Sequence, residues 1–187
     1  MLDNQLGKYD DFIVVGTNKI HRTALIGDNV ELGENNIIGA FTVVGGYGGM
    51  AGDFSSKGKI ILGSNNVIHN HVEIKSPYRG NITQVGNNNL IMDYVNIGHD
   101  CVIENHCVIA TGSRVAGCCN IESWVSLGLN AIIHQRIHIG HTAMVGMGSV
   151  VTKNLEAEYI YIGQPAKKIK KNVAGVSKRD SRKTPDL

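Results

Sequence analysis

An aliphatic residue stands at every sixth position from Val85 to Val151: Val85, Ile91, Ile97, Ile103, Ile109, Val115, Ile121, Leu127, Ile133, Ile139, Val145 and Val151. A spacing of six matches neither the 3.6 of an amphipathic helix nor the bare alternation of a lone strand. Six is even, so inside and outside still alternate within each unit, and the chain must bend between units. A sustained hexapeptide period implies a solenoid of short parallel strands, a β-helix.

The rest of each unit agrees. The fifth position holds Cys101, Cys107, Ser113, Cys119, Val125, Ala131, Ala143 and Ser149, small or β-branched residues suited to a narrow interior. The second is often glycine (Gly86, Gly98, Gly128, Gly140, Gly146), read as a corner that needs permissive backbone. The fourth is sometimes asparagine (Asn88, Asn130), which tolerates left-handed geometry.

The period begins earlier, at Val14, Ile20, Ile26, Leu32, Ile38 and Val44, and resumes at Leu62, Ile68 and Ile74. Two interruptions, GGYGGMAGDFSSKG after Val44 and KSPYRGNITQ after Ile74, are too polar and glycine-rich to be inward rungs and read as projecting loops. Loops on a rigid scaffold are where binding groups collect. Three hexads per turn give coils of 18 residues, about seven in all. The expected organisation is an all-β chain: a lead-in over 1–13, a parallel β-helix over 14–155, and a C-terminal segment with a basic tail over 156–187. The stretch from Asn172 to Leu187 reads as a polar, poorly ordered, solubilising end.

Aromatic residues make up only 5% of the chain, as a thin interior requires. The formal charge of +2 gives no reason to invoke nucleic acid. No run of 18 apolar residues marks a membrane span, and the acidic start from Met1 to Asp11 lacks the features of a signal peptide. The expected compartment is cytoplasmic. Of the four cysteines, Cys101, Cys107 and Cys119 fall on inward positions and read as buried thiols. The spacing offers no zinc motif, so no metal is expected.

Outward histidines carry the chemistry. His99, in NIGHDC, carries an imidazole, a group able to take a proton from a hydroxyl or amine, although on the bare pattern a surface or interface role is the plainer reading. Asp100 is its possible orienter, but neighbours on an extended strand point to opposite sides. His134 lies on the same edge as Gly98, two coils away, where it lines the same cleft or an inert edge. His69 and His71, near the second loop, read as substrate contacts or as a surface pair.

VGNNNLIMDYVNIGHDCVIENHCVIATGSRVAG, with LGLNAIIHQ beyond it, resembles the UDP-N-acetylglucosamine O-acyltransferases of lipid A synthesis and, more broadly, the hexapeptide-repeat acyltransferases. The resemblance covers roughly residues 20–151, first loop included. It implies a left-handed β-helix, an exception to the right-handed crossover rule, and a homotrimer. The site is expected between neighbouring subunits, because one prism face alone is shallow and excludes water poorly. The resemblance also implies His99 as general base, Asp100 as its acid partner and His134 in the acyl-donor region. Three departures stand out: Asn96 and Cys118 replace family histidines, and Ser64 replaces an acidic residue that binds the sugar. The family's helical C-terminal domain has no room here.

GQPAKKIKKN resembles the closing segment of acetyl-CoA-dependent relatives, which makes Gly163, Pro165, Ala166 and Lys167 a candidate donor-binding edge. The alternative is a plain capping turn.

The implied reaction is direct acyl transfer from acyl-CoA (acetyl-CoA foremost) or acyl-carrier protein to a hydroxyl or amino group of a nucleotide-linked sugar. No permanently bound cofactor is expected. Gly117, one coil from His99, is the oxyanion candidate, while Ser64, His69, His71 and Asn96 face the acceptor. A covalent acyl-enzyme on Cys118 or Cys119 is a lesser alternative. The rivals are an acetyl-CoA-dependent N-acetyltransferase of an amino sugar or small amine, a noncatalytic trimeric scaffold, and a zinc-dependent, carbonic-anhydrase-like protein.

Overall fold

Hexads become strands of two to four residues, and strands one coil apart pair. The computed structural model describes residues 11–48, 58–78, 80 and 82–183. Within them the strands form three sheets of ten, six and seven members. Register follows the 18-residue coil: Ile91 pairs with Ile109, Ile109 with Leu127 and Leu127 with Val145. On the next sheet Ile97, Val115, Ile133 and Val151 line up in the same way. Pairing is parallel except at the two ends of the ten-stranded sheet.

The aliphatic and fifth positions both point inward. Ile97, Cys101, Ile103, Cys107 and Ile109 are completely buried, and Cys119 and Val125 almost so. Each isoleucine withdrawn from water contributes about 1.5–3 kcal/mol, and the rungs repeat that gain along the axis. Burial pushes the Cys107 thiol up to about 12, which keeps it neutral in the core.

Toward the N-terminal end the fifth position carries an asparagine column instead. Asn66 Nδ2 donates to Asn36 Oδ1 at 3.0 Å, and Asn36 Nδ2 to Asn18 Oδ1 at 3.1 Å. The column ends where the Cys107 N–H donates to Asn89 Oδ1 at 2.8 Å. Every amide in this buried stack is spent on the next rung, which is what makes its burial tolerable.

Corner chemistry differs from the expectation. Left-handed backbone belongs to the fourth position whatever its residue: Asn88, Tyr94, Asp100, His106, Cys118, Trp124, Asn130, Arg136 and Thr142 have φ between 53° and 67°. The second-position glycines answer to space. A Cβ on Gly98 would lie 2.7 Å from the carbonyl carbon of Ala116, in the backbone of the next coil.

Two further expectations are corrected. Val14 is no inward rung: the two-residue turn at Gly16 (φ 61°) reverses the chain, so Phe12–Val15 pairs antiparallel with Asn18–His21 and leaves Val14 70% exposed. Asn172 does not open a disordered tail, because Val173–Lys183 is a helix. Asn172 caps it by accepting the Gly175 N–H at 3.1 Å, and its own amide donates to the Thr142 carbonyl at 2.9 Å. Arg179 then ties the helix to Glu158 at 2.7 Å. Of the first loop, residues 49–57 lie outside the described residues. Among the described residues no helix is long and apolar enough to cross a membrane.

Candidate active site

His99 and Asp100 follow the strand Asn96–Ile97 at a corner. The expectation that neighbouring side chains diverge fails here, because Asp100 has φ 58° and its carboxylate swings back toward the ring before it. Asp100 Oδ2 lies 2.7 Å from His99 Nδ1. The carboxylate is itself held by the second loop, accepting the N–H of Tyr78 at 3.1 Å and that of Gly80 at 2.6 Å. Thr83 Oγ1 accepts the Asp100 N–H at 2.9 Å. Two loop residues thus fix the orienting carboxylate and Thr83 fixes the backbone that carries it, which is the positioning a general base requires.

The other side of the imidazole is open. Nε2 has no hydrogen-bond partner among the described residues, and the His99 side chain is 26% exposed. The ring lies against Gly117, where a Cβ would sit 2.4 Å from Nε2 and 2.6 Å from Cε1. Tyr78 meets it edge-on, with centroids 5.9 Å apart. Glycine at 117 is therefore required by the flat approach of the ring. The Gly117 N–H donates to no acceptor among the described residues, which suits it to a developing oxyanion.

His99 opens into a cavity of about 470 Å³ whose lining includes Lys75, Tyr78, Asn96, Gly117, Cys118 and Arg136. Asn96 is anchored by donating to Glu73 Oε2 at 2.5 Å. Lys75, Tyr78 and Arg136 escaped the sequence reading. The signal for Lys75 was present: Glu73 and Ile74 pair with Asn96 and Ile97, so subtracting the second loop puts Lys75 beside Gly98. Cys118 joins His99 and Asp100 in a cluster whose ligating atoms all lie within 4.8 Å of one another.

Other expected site residues lie elsewhere. Gln135 and Arg136 supply the lining at the level where His134 was anticipated, and the His134 ring is exposed, with Nδ1 3.2 Å from the Gln135 carbonyl. Ser64 Oγ accepts the Glu34 N–H at 3.0 Å in a separate corner. His69 Nδ1 faces Asp93 Oδ2 at 3.2 Å, and His71 is stacked between Phe41 and Tyr94 at 5.0 and 4.8 Å. None of these four lines the His99 cavity. Gly163, Pro165 and Ala166 share a turn at the end of the stack and Lys167 opens the strand after it, with the Ala166 N–H donating to the Val150 carbonyl at 2.8 Å.

A second cleft of about 440 Å³ is lined by Glu122, His138, His141 and Glu156, among others. His138 Nε2 lies 2.7 Å from Glu122 Oε1, and the His141 N–H donates to Glu122 Oε2 at 2.7 Å. Burial pushes the Glu122 carboxyl up, but these bonds from His141 and His138 outweigh it and hold the group below the usual carboxylate range. Arg179 from the C-terminal helix reaches the same histidine, with Nη1 3.2 Å from His141 Nδ1.

Comparison with known proteins agrees with this architecture. The family model described as Bacterial transferase hexapeptide (six repeats) matches residues 82–117. The acyl-(acyl-carrier-protein)–UDP-N-acetylglucosamine O-acyltransferase of Pseudomonas putida is 36% identical over 126 residues, 65% of this chain and 48% of that protein. The protein of that name from Stutzerimonas stutzeri is 34% identical over 156 residues, 79% of this chain and 58% of that one. The chain thus spans about half the length of the relatives it matches. Among solved structures, the UDP-N-acetylglucosamine acyltransferase of Bacteroides fragilis superposes with a TM-score of 0.83 at 27% identity, covering 87% of this chain and 64% of that one. The Moraxella catarrhalis enzyme gives 0.70 at 27% identity, over 90% of this chain and 80% of that one. The chain is a hexapeptide-repeat protein with the left-handed β-helix fold, similar along its repeat core to the UDP-N-acetylglucosamine O-acyltransferases.

Proposed function

We propose that this chain is an acyltransferase that moves an acyl group from a thioester donor to a hydroxyl or amino group of a nucleotide-linked sugar. The observation that carries this reading is the His99–Asp100 pair, braced on one side and open to a cavity on the other. His99 Nε2 takes the acceptor's proton, and the acceptor oxygen or nitrogen attacks the thioester carbonyl. The Gly117 N–H meets the oxygen that becomes negative. Lys75 and Arg136 bring two cations to the lining, which suits the diphosphate of a nucleotide sugar, while Asn96 offers its amide to a sugar hydroxyl.

The names of the relatives supply both partners by analogy: an acyl-carrier protein as donor and UDP-N-acetylglucosamine as acceptor. For acetyl-CoA as donor, the turn from Gly163 to Lys167 offers lysines at the end of the stack, with Lys167 and Lys170 both exposed. No permanently bound cofactor is needed for either donor. A homotrimer in the cytoplasm is the working state, with a neighbouring subunit closing the cavity against water. Exposed Leu129, Ile132 and Met147, on coils beyond the cavity, are the apolar side chains such an assembly would cover.

The test is a donor and acceptor screen on the purified chain. Acetyl-CoA, longer acyl-CoA and acyl-carrier protein are each offered with hydroxy and amino nucleotide sugars, following release of the donor thiol. Thiol release that depends on a nucleotide sugar is the expected result. Release with none of them, or only with acceptors that lack the nucleotide, overturns the reading.

A further inference from the structure

The corner that carries the base also gathers a set of metal ligands. Asp100 and Cys118 occupy the same corner on successive coils, a register set by the pairing of Ile97 with Val115. Both have left-handed backbone, φ 58° and 62°, and the Cys118 N–H donates to the His99 carbonyl at 2.8 Å. A ring nitrogen of His99, a carboxylate oxygen of Asp100 and Cys118 Sγ consequently all lie within 4.8 Å of one another. Zinc bonds of about 2.0–2.3 Å put two ligands of one ion about 3–4 Å apart, so small side-chain rotations close the set. Thiolate, imidazole and carboxylate are the donors zinc takes, and three of them leave a fourth position open to the cavity. The Asp100 carboxylate keeps the Tyr78 and Gly80 N–H groups behind it, the outer support that holds a ligating carboxylate in place. Cys118 lines the cavity, whereas Cys101, Cys107 and Cys119 are buried in the stack. No linear motif announces this set, because Asp100 and Cys118 meet only through the coil repeat.

We propose that His99, Asp100 and Cys118 form a zinc-binding site, and that the bound ion stops transfer by occupying the base. The effect on transfer rests on His99 as the base in the reading above, whereas the binding of the ion does not. Lys75 and Arg136 also line the cavity, so the charge of the cation must be met by its own ligands. The Asp100 carboxylate and the Cys118 thiolate bring two negative charges to the two positive ones of zinc. The thiol gives its proton to solvent as the zinc–sulfur bond forms. Either nitrogen of the imidazole serves. With Nε2 on the ion, the lone pair that would take the acceptor's proton is used in the bond. With Nδ1 on the ion, Nε2 carries the proton of the neutral ring and is a donor only. In both arrangements His99 no longer accepts a proton, and withdrawal of the ion returns it to service.

The experiment uses the full chain, reduced and stripped of metal. Zinc is titrated against a chromophoric chelator, and cobalt(II) is added in parallel for its absorption spectrum. The expected result is one zinc per chain and a cobalt spectrum that includes a thiolate-to-metal charge-transfer band. Cys118→Ser should lose that band and bind zinc about 10²-fold more weakly or worse, since even an outer-shell partner is worth about 10–100-fold. His138→Ala, in the second cleft, should bind zinc as the parent does. A measurement on the unmodified chain gives the same reading without a substitution: iodoacetamide labels Cys118 ahead of the three buried cysteines, and zinc slows that labelling. In the transfer assay zinc should lower turnover and a chelator restore it. Cys118→Ser should need at least about tenfold more zinc for the same fractional loss. Zinc held through Cys118 in a chain that transfers to no sugar upholds the site and counts against the reading above. Full turnover with zinc bound through Cys118 overturns the proposed block and leaves that reading standing. Zinc bound no more tightly by the parent than by Cys118→Ser, or a cobalt spectrum without the thiolate band, overturns the site itself.

Discussion

Among the described residues two clefts pair an imidazole with a carboxylate at 2.7 Å, and we propose only the first as the reaction site. In the first, the carboxylate of Asp100 is fixed by backbone donors from the second loop, and the far nitrogen of His99 faces the cavity. In the second, Glu122 binds both the His138 ring and the His141 backbone, and Arg179 reaches across to His141 and Glu158. That arrangement fastens the C-terminal helix to the last coils. The cavities are of similar size, about 470 and 440 Å³, so volume does not separate them. What separates them is the rest of the lining: the first cavity adds the cations of Lys75 and Arg136 and the backbone of Gly117, whereas the second adds the carboxylate of Glu156.

The sharpest way to break this contrast is substitution of each histidine in turn. His99→Ala is expected to lower turnover by about 10²-fold or more, the usual cost of losing a general base, while His138→Ala stays within about twofold of the parent, as suits a residue outside the chemistry. Steady-state thiol release measures both, and comparable losses in the two variants would dissolve the distinction.

Much of this was legible beforehand, for physical reasons that also mark the limit. The six-residue period fixes which side chains face in, so Ile97, Cys101 and their equivalents were readable one by one. A repeat of fixed length also gives register, which is why Gly117 was rightly set one coil from His99. Where loops interrupt the repeat the arithmetic slips. The asparagine column Asn18, Asn36, Asn66, Asn89 is spaced irregularly along the chain and went unnoticed, although its amides bond rung to rung. Corners were the other blind spot. Treating His99 and Asp100 as residues of an extended strand sent their side chains apart, whereas the left-handed backbone at Asp100 brings them together. The C-terminal helix was hidden by its polar composition, since Asn172 and Arg179 hold it in place of a large apolar face.

Gly117→Ala sharpens the comparison without touching a titratable group. A methyl group there would lie 2.4 Å from His99 Nε2, so the ring must leave its seat. The expected loss of turnover is about tenfold to 10²-fold, with the melting temperature close to that of the parent. Unchanged turnover would mean that the ring does not rest on Gly117.

The second cleft has its own signature, which is structural. Ending the chain after Asn172 removes Arg179 and its bonds to His141 and Glu158. The melting temperature should fall by about a few degrees, while the His99 cavity, which uses no residue beyond Arg136, keeps its chemistry. A truncated chain that melts with the parent would show the helix to be ornamental.

The smallest effect is one of pH. Glu122 has a folded-state pKa below its ordinary value of 4.5, so its contribution to stability is present above that value and is lost as the pH falls through the folded one. Thermal melts of the parent and Glu122→Gln should therefore differ by a constant amount above about pH 5.5, and converge in acid. A gap that widens in acid would reverse the sign of the coupling.

The central claim, that acyl transfer occurs at His99 and nowhere else in the chain, is tested most directly by a crystal structure with a non-hydrolysable thioester analogue and a nucleotide sugar. The account predicts the carbonyl carbon within about 4 Å of the acceptor atom, that atom within hydrogen-bond reach of His99 Nε2, and the carbonyl oxygen turned toward the Gly117 N–H. Density for both ligands in the Glu122–His138 cleft, with the His99 cavity holding solvent, would contradict it.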